Sequence, residues 1–178
     1  MSTLASSNPL PLLAVGEGTA STPDLASMKP TQKASLYADP LSWLVLSAVE
    51  SAVASTRDAL DASRRTVGHI VISDTCTLHT LHAIARTVPS GHVSPLKFSG
   101  ACPGLVCCLP SQLLGFSGPS IALSMLGLLG QPHAMTLAQT WLKDQAASHV
   151  IVTVHDADAS GHRVTSTVFT CATSGETR

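Results

Sequence analysis

Charge is what this sequence has least of. Asp, Glu, Lys and Arg make up 12% of its 178 residues, and ten Lys and Arg against eleven Asp and Glu leave a net charge of -1. So balanced a chain projects no basic field, which excludes nucleic acid and anionic membrane as electrostatic partners. No charged segment followed by an apolar core opens the chain, so no secretory signal is read. The cysteines are Cys76, Cys102, Cys107, Cys108 and Cys171, an odd number that fits a reduced, cytoplasmic protein better than a disulfide framework. The apolar stretches Leu41 to Val53 and Leu113 to Leu129 are interrupted by Ser, Gly, Glu or Pro and do not make a membrane span. Hydrophobic residues nevertheless reach 44%, which leaves apolar surface for a partner to cover and points to an oligomer. The length suits one domain.

Residues 1–35 read as an N-terminal segment rich in Ser, Thr, Pro and Gly, with one short strand at Leu10 to Val15; residues 36–174 read as a single domain. Asp39-Pro40 can cap and start a helix, and Trp43, Leu44, Leu46, Val49, Val53 and Leu60 carry helical spacing through Asp61. Val67 to Ser73 is a brief β-branched strand and Thr77 to Arg86 a helix. A loop holding Pro89, Gly91 and Pro95 leads to an apolar helix from Leu105 to Leu114 that Pro110 should kink. Ile121 to Met125 is a strand candidate, Pro132 is expected to open a helix through Leu142, and Val150 to Val154 forms a hairpin with Arg163 to Cys171 across Asp156 to Gly161. The order predicts a layered α/β domain.

From Phe98 to Asp156 the residues become specific. His92-Val93-Ser94-Pro95 with Phe98, the apolar segment Pro103 to Leu114, and Gly115-Phe116-Ser117-Gly118-Pro119-Ser120-Ile121 follow one another in the order and spacing found in β-ketoacyl synthases. The chain resembles the amino-terminal part of that family, most of all the short ketosynthase-like and chain-length-factor-like proteins of polyketide and aryl-polyene clusters. The resemblance implies a truncated half of a thiolase-like fold, a mixed and mostly parallel sheet with helices on both faces. It also places Gly127 where the family has its nucleophilic cysteine, at a helix N-terminus that stabilises thiolate and oxyanion. Glycine cannot attack a thioester. The family's two catalytic histidines belong to a carboxyl-terminal half with no counterpart in these 178 residues. The expectation is a non-catalytic partner or acyl-carrier-protein-binding scaffold, needing no cofactor. It would form a homodimer, or a heterodimer with a ketosynthase, through Ile121, Leu123 and Met125. The alternative is a small enzyme that reuses the half-fold with His133, His155, Asp156 or a cysteine in a different reaction.

Other residues invite sharper readings. Cys107 and Cys108 are adjacent on a helix, point about 100° apart, and read as packing residues rather than one metal site. Cys76, His79 and His82, with Asp74 and His69, lack a firm third and fourth ligand, so no metal is assigned. Asp156 to Gly161 imitates the opening of a calcium loop, but Thr167 stands where a bidentate Glu is required, and a hairpin turn is the better reading. His133 and His155 read as structural histidines that could approach one another. Gly127 and Gly130 read as a softened turn rather than a phosphate loop, and Trp43 and Trp141 as core or interface anchors.

Overall fold

The computed structural model describes residues 11–30, 37–91 and 94–172. The expected frayed start at Met1 to Asn8, Leu10 of the first strand, residues 31–35 of the N-terminal segment and His92-Val93 lie outside the described residues. The elements are β1 (Leu12–Thr22), α1 (Pro40–Val53), α2 (Arg57–Ala62), β2 (Val67–Ile72), α3 (Leu78–Thr87), α4 (Pro95–Gly100), α5 (Leu105–Leu114), β3 (Ser120–Leu123), α6 (Gly127–Lys143), β4 (His149–Asp158) and β5 (Gly161–Cys171). They build one sheet of order β1-β5-β4-β2-β3, with β2 parallel to both β3 and β4, and β5 antiparallel to both β4 and β1. Four strands therefore run one way and β5 alone runs against them.

The two faces carry separate cores. On one, Leu41, Leu44, Val45 and Val49 of α1 pack with Val71, Ile151, Val164 and Val168 of the sheet and with α5. On the other, Ile70, Ile72, Val150 and Val152 meet Ala134, Ala138 and Leu142 of α6. Burying each such aliphatic side chain contributes roughly 1.5–3 kcal/mol. Strand alternation divides the set: Ile70 and Ile72 face α6 while Val71 faces α1.

Asp39 explains why α1 begins where it does. Its side chain is fully buried; one carboxylate oxygen accepts the Leu41 N–H at 2.9 Å and the other accepts the Thr80 N–H at 2.9 Å, so one residue caps α1 and ties α3 to it. Asp39→Ala would leave two buried donors without a partner. A loss on the order of 3 kcal/mol is expected, visible as a lower urea midpoint at unchanged slope; Asp39→Asn should fall between.

Several boundaries differ from the sequence expectation, and the strand expected at Ile121 to Met125 runs from Ser120 to Leu123, with Met125 outside it. β1 does not end at Val15 but continues to Thr22, because it pairs with β5 through Thr22↔His162 and because Gly16 and Gly18 lie flush against Ala52 of α1, where a Cβ would strike backbone. The predicted single helix to Asp61 is broken: a 3-10 turn at Ala54–Thr56 separates α1 from α2. The loop at Pro95 contains a short helix, α4. Pro132 lies inside α6 rather than opening it, because α6 starts at Gly127. Gly127 and Gly130 are therefore helical residues packed on the sheet, not a turn.

Candidate functional site

The C-terminal ends of the parallel strands converge with the N-terminus of α6. The segment Ser124 to Leu126 leads from β3 into α6, whose first residue is Gly127 and whose cap, Leu126, has no side chain to satisfy the first turn. Asp156 on β4 supplies negative charge there. A Cβ built on Gly127 would lie 2.7 Å from Asp156 Oδ1 and 2.7 Å from Val154 Cγ1. The carboxylate thus sits against the position where the family resemblance puts a thiol, in a favourable place for the helix dipole. Beside it, an open groove of about 380 Å3 runs between α6 and the sheet, with Leu128, Met135, Val154, Asp156, Thr165 and Phe169 on its walls.

The other candidates do not converge on this point. His155 follows Val154 on β4 and so faces away from α6, into the α1 side, where it is buried. His133 is exposed on α6. His133 and His155 therefore occupy opposite sides of the sheet, and Asp156 is the member of the trio that reaches Gly127. Of the expected interface residues, Ile121 on the edge strand is 37% exposed, while Leu123 and Met125 are half-buried against the α6-side core.

His155 belongs to a polar chain that sequence reasoning missed. Its Nδ1 lies 2.9 Å from Ser73 Oγ and its Nε2 3.0 Å from His162 Nδ1, with the two rings stacked 5.3 Å apart. Ser73 Oγ also accepts the Cys76 N–H at 2.8 Å, which ties the approach to α3 into the same chain. Burial pushes His155 down to about 4, and the nearby His162 adds to the shift. The hairpin register opposes Ala157 to His162, which makes His155 and His162 diagonal neighbours on one face. A second chain is fully buried. The Cys107 carbonyl accepts from His69 Nδ1 at 3.2 Å, Thr153 Oγ1 donates to His69 Nε2 at 3.0 Å, and Ser166 Oγ donates to Thr153 Oγ1 at 2.9 Å. Burial holds His69 at about 4 as well.

The remaining residues take structural places. Cys107 is buried, donates to the Gly104 carbonyl, and is pushed up to about 12 by burial, with Cys108 adding to it; Cys108 itself is exposed. Cys76 is buried in a left-handed backbone conformation with its thiol on the Ser73 carbonyl, whereas His82 is exposed. Asp158 accepts both the N–H and the hydroxyl of Ser160, as a hairpin turn requires. Trp43 is core and Trp141 packs over Gly68. Among the described residues no helix is long and apolar enough to cross a membrane.

No family model and no curated protein matches the sequence. Solved structures do. The ishigamide ketosynthase/chain length factor superposes with a TM-score of 0.70 at 12% identity, over 93% of this chain and 63% of that one. The AntDE:AntF complex, a type II polyketide synthase acyl-carrier protein with its ketosynthase, gives 0.69 at 15% identity over 92% and 63%. The ketosynthase ApeO in complex with its chain length factor ApeC from Xenorhabdus doucetiae gives 0.63 at 8% identity over 92% and 80%. The chain spans just under two thirds of the first two structures' length, and what it shares with them, over nearly all its own residues, is a ketosynthase-type, thiolase-like fold.

Proposed function

We propose that this chain is a non-catalytic ketosynthase-like subunit of polyketide- or fatty-acid-type secondary metabolism in the cytoplasm. It pairs with a second copy of itself or with a complete ketosynthase, and offers a surface for an acyl carrier protein and its cargo. One observation supports the reading: at Gly127, which the sequence resemblance aligns with the family's nucleophile, a Cβ would lie 2.7 Å from Asp156 Oδ1 and 2.7 Å from Val154 Cγ1, so a side chain there is crowded. A hydroxyl does stand in a chain with two histidines, Ser73, but it is fully buried, so that chain fastens the hairpin to the end of β2 rather than attacking a substrate.

Pairing is assigned to β3, which is the sheet edge on that side and presents unpaired backbone groups along Ser120 to Leu123. Ile121 is the clean probe, because a charge at Leu123 would also disturb the core beneath it. In a two-fold contact Ile121→Asp buries two unpaired charges at once. Sedimentation is expected to show a dimer for the native chain and monomer for the variant, with unchanged circular dichroism. Co-expression with a ketosynthase from the same genome should give a heterodimer that the same variant abolishes. A native chain that stays monomeric at micromolar concentration, alone and with the ketosynthase, would refute the pairing.

A further inference from the structure

Three segments of the chain meet at a point that belongs to neither core. Ser73, Thr75 and Cys76 come from the turn between β2 and α3, His155 from β4, and His162 from β5, where it stands opposite Thr22 of β1. Among the described residues neither core includes any from Ser73 to Ala101, so this turn can move without dismantling them. Its hold is polar. His155 Nδ1 lies 2.9 Å from Ser73 Oγ and 3.5 Å from Thr75 Oγ1, and Ser73 Oγ in turn accepts the Cys76 N–H. Cys76 sits at a φ of 42°, a left-handed conformation that a residue other than glycine keeps only while its surroundings enforce it. Its thiol is buried, with the Ser73 carbonyl accepting it at 3.2 Å.

The contact between the two rings limits how many protons they can hold. A hydrogen bond between His155 Nε2 and His162 Nδ1, 3.0 Å apart, needs one bare nitrogen, whichever tautomers are present. With both rings cationic, each of these nitrogens carries a hydrogen, and two positive rings stacked 5.3 Å apart repel. We propose that Ser73, His155 and His162 form a pH-sensitive latch, which holds the turn between β2 and α3 closed at neutral pH and releases it in acid while both cores stay folded. The groups around His155 pull both ways. Burial and His162 disfavour its cation, whereas Asp74 of the turn, Asp156 of β4 and Asp39 at the head of α1 favour it. Arg163, next to His162 on β5, acts on Asp158 at the end of the hairpin. Burial wins, and the closed latch holds His155 at about 4 against an ordinary 6.5. A depressed value in the closed form means that closure is at full strength above pH 6.5 and is lost as pH falls toward 4. Across that interval the equilibrium moves roughly 300-fold toward the open form.

The test follows the Cys76 thiol in the full chain with 4,4'-dithiodipyridine at pH 7 and pH 5, locating the label by peptide mass spectrometry. Cys102 and Cys108 are exposed and serve as internal references. Hydrogen exchange over Ser73 to Thr77 is read beside the β2 amides, which report the cores. Labelling of Cys76 relative to Cys102 is expected to rise about 10-fold or more on going to pH 5, and the turn to lose protection while β2 keeps it. His155→Gln retains hydrogen-bonding groups and removes the titration, so the relative labelling should no longer depend on pH. His162→Gln should reduce the dependence by removing the second cation. Ile121→Asp should leave it unchanged, which separates the latch from the pairing proposed above. The latch is refuted if Cys76 labels equally at the two pH values, if His155→Gln keeps the full pH dependence, or if the turn and β2 lose protection together. That last comparison needs only the native chain, so it decides the matter even if a variant does not fold.

Discussion

Gly127→Cys is expected to give a less stable protein with no condensing activity. The new Cβ would stand 2.7 Å from both Asp156 Oδ1 and Val154 Cγ1. Asp156 is exposed and can swing aside, but Val154 is held by the strand. Replacing glycine within a helix returns up to about 1 kcal/mol of propensity, whereas forcing a side chain into packed surroundings costs about 1–3 kcal/mol. The clash wins, and the melting temperature should fall by roughly 5 °C. Gly130→Ala, whose Cβ would meet Ile72 Cγ2 directly, should behave alike without touching Gly127. Turnover of an acyl thioester by Gly127→Cys alone would mean that the catalytic machinery is present after all.

Acid is expected to destabilise this protein progressively from about pH 6.5 downward. His69 and His155 both fall from 6.5 to about 4 in the folded chain, in each case chiefly through burial. A base whose folded pKa is depressed takes up a proton more readily when unfolded. Its contribution is therefore intact above pH 6.5 and is lost as pH falls toward 4. Each histidine accounts for about 3 kcal/mol across that window, and the two together approach the whole stability of an ordinary domain. The carboxylates of Asp74, Asp156 and Asp39 work against the shift at His155. Denaturation at pH 7.5, 6 and 5 should show the decline, and His155→Gln should make it shallower. Equal stability at pH 7.5 and 5 would contradict the burial of both rings.

What could be read from the sequence was what local chemistry decides. Asp39-Pro40 marks the start of α1 because a capping carboxylate and a proline at the first helical position suit the helix entrance. The β-branched runs at Val67 and Val150 became the central strands, and the turn expected at Asp156 to Gly161 joins β4 to β5, although β4 continues through Asp158. Tertiary contact overrode local signals elsewhere. Gly16 and Gly18 weaken a strand in isolation, yet here they admit α1, so β1 runs on to Thr22. Gly127 and Gly130 read as a softened turn and Pro132 as a helix start, yet the two glycines are helical and let α6 lie close on Ile72 and Val154. At the site, the assignment of the nucleophile position to Gly127 rests on motif order alone and belongs to the proposal. The Asp156 contact and the Ser73 to His162 chain required strand orientation, register and packing that no local pattern encodes.

The central claim is most directly tested by native mass spectrometry of the chain co-expressed with a ketosynthase and incubated with an acyl-carrier thioester. The expected result is a heterodimer carrying one acyl group, which peptide mapping assigns to the ketosynthase, with the segment Ile121 to His133 of this chain unmodified. An acyl group mapped to this chain, or a ketosynthase that is acylated and turns over without ever binding it, would contradict the role of a non-catalytic partner.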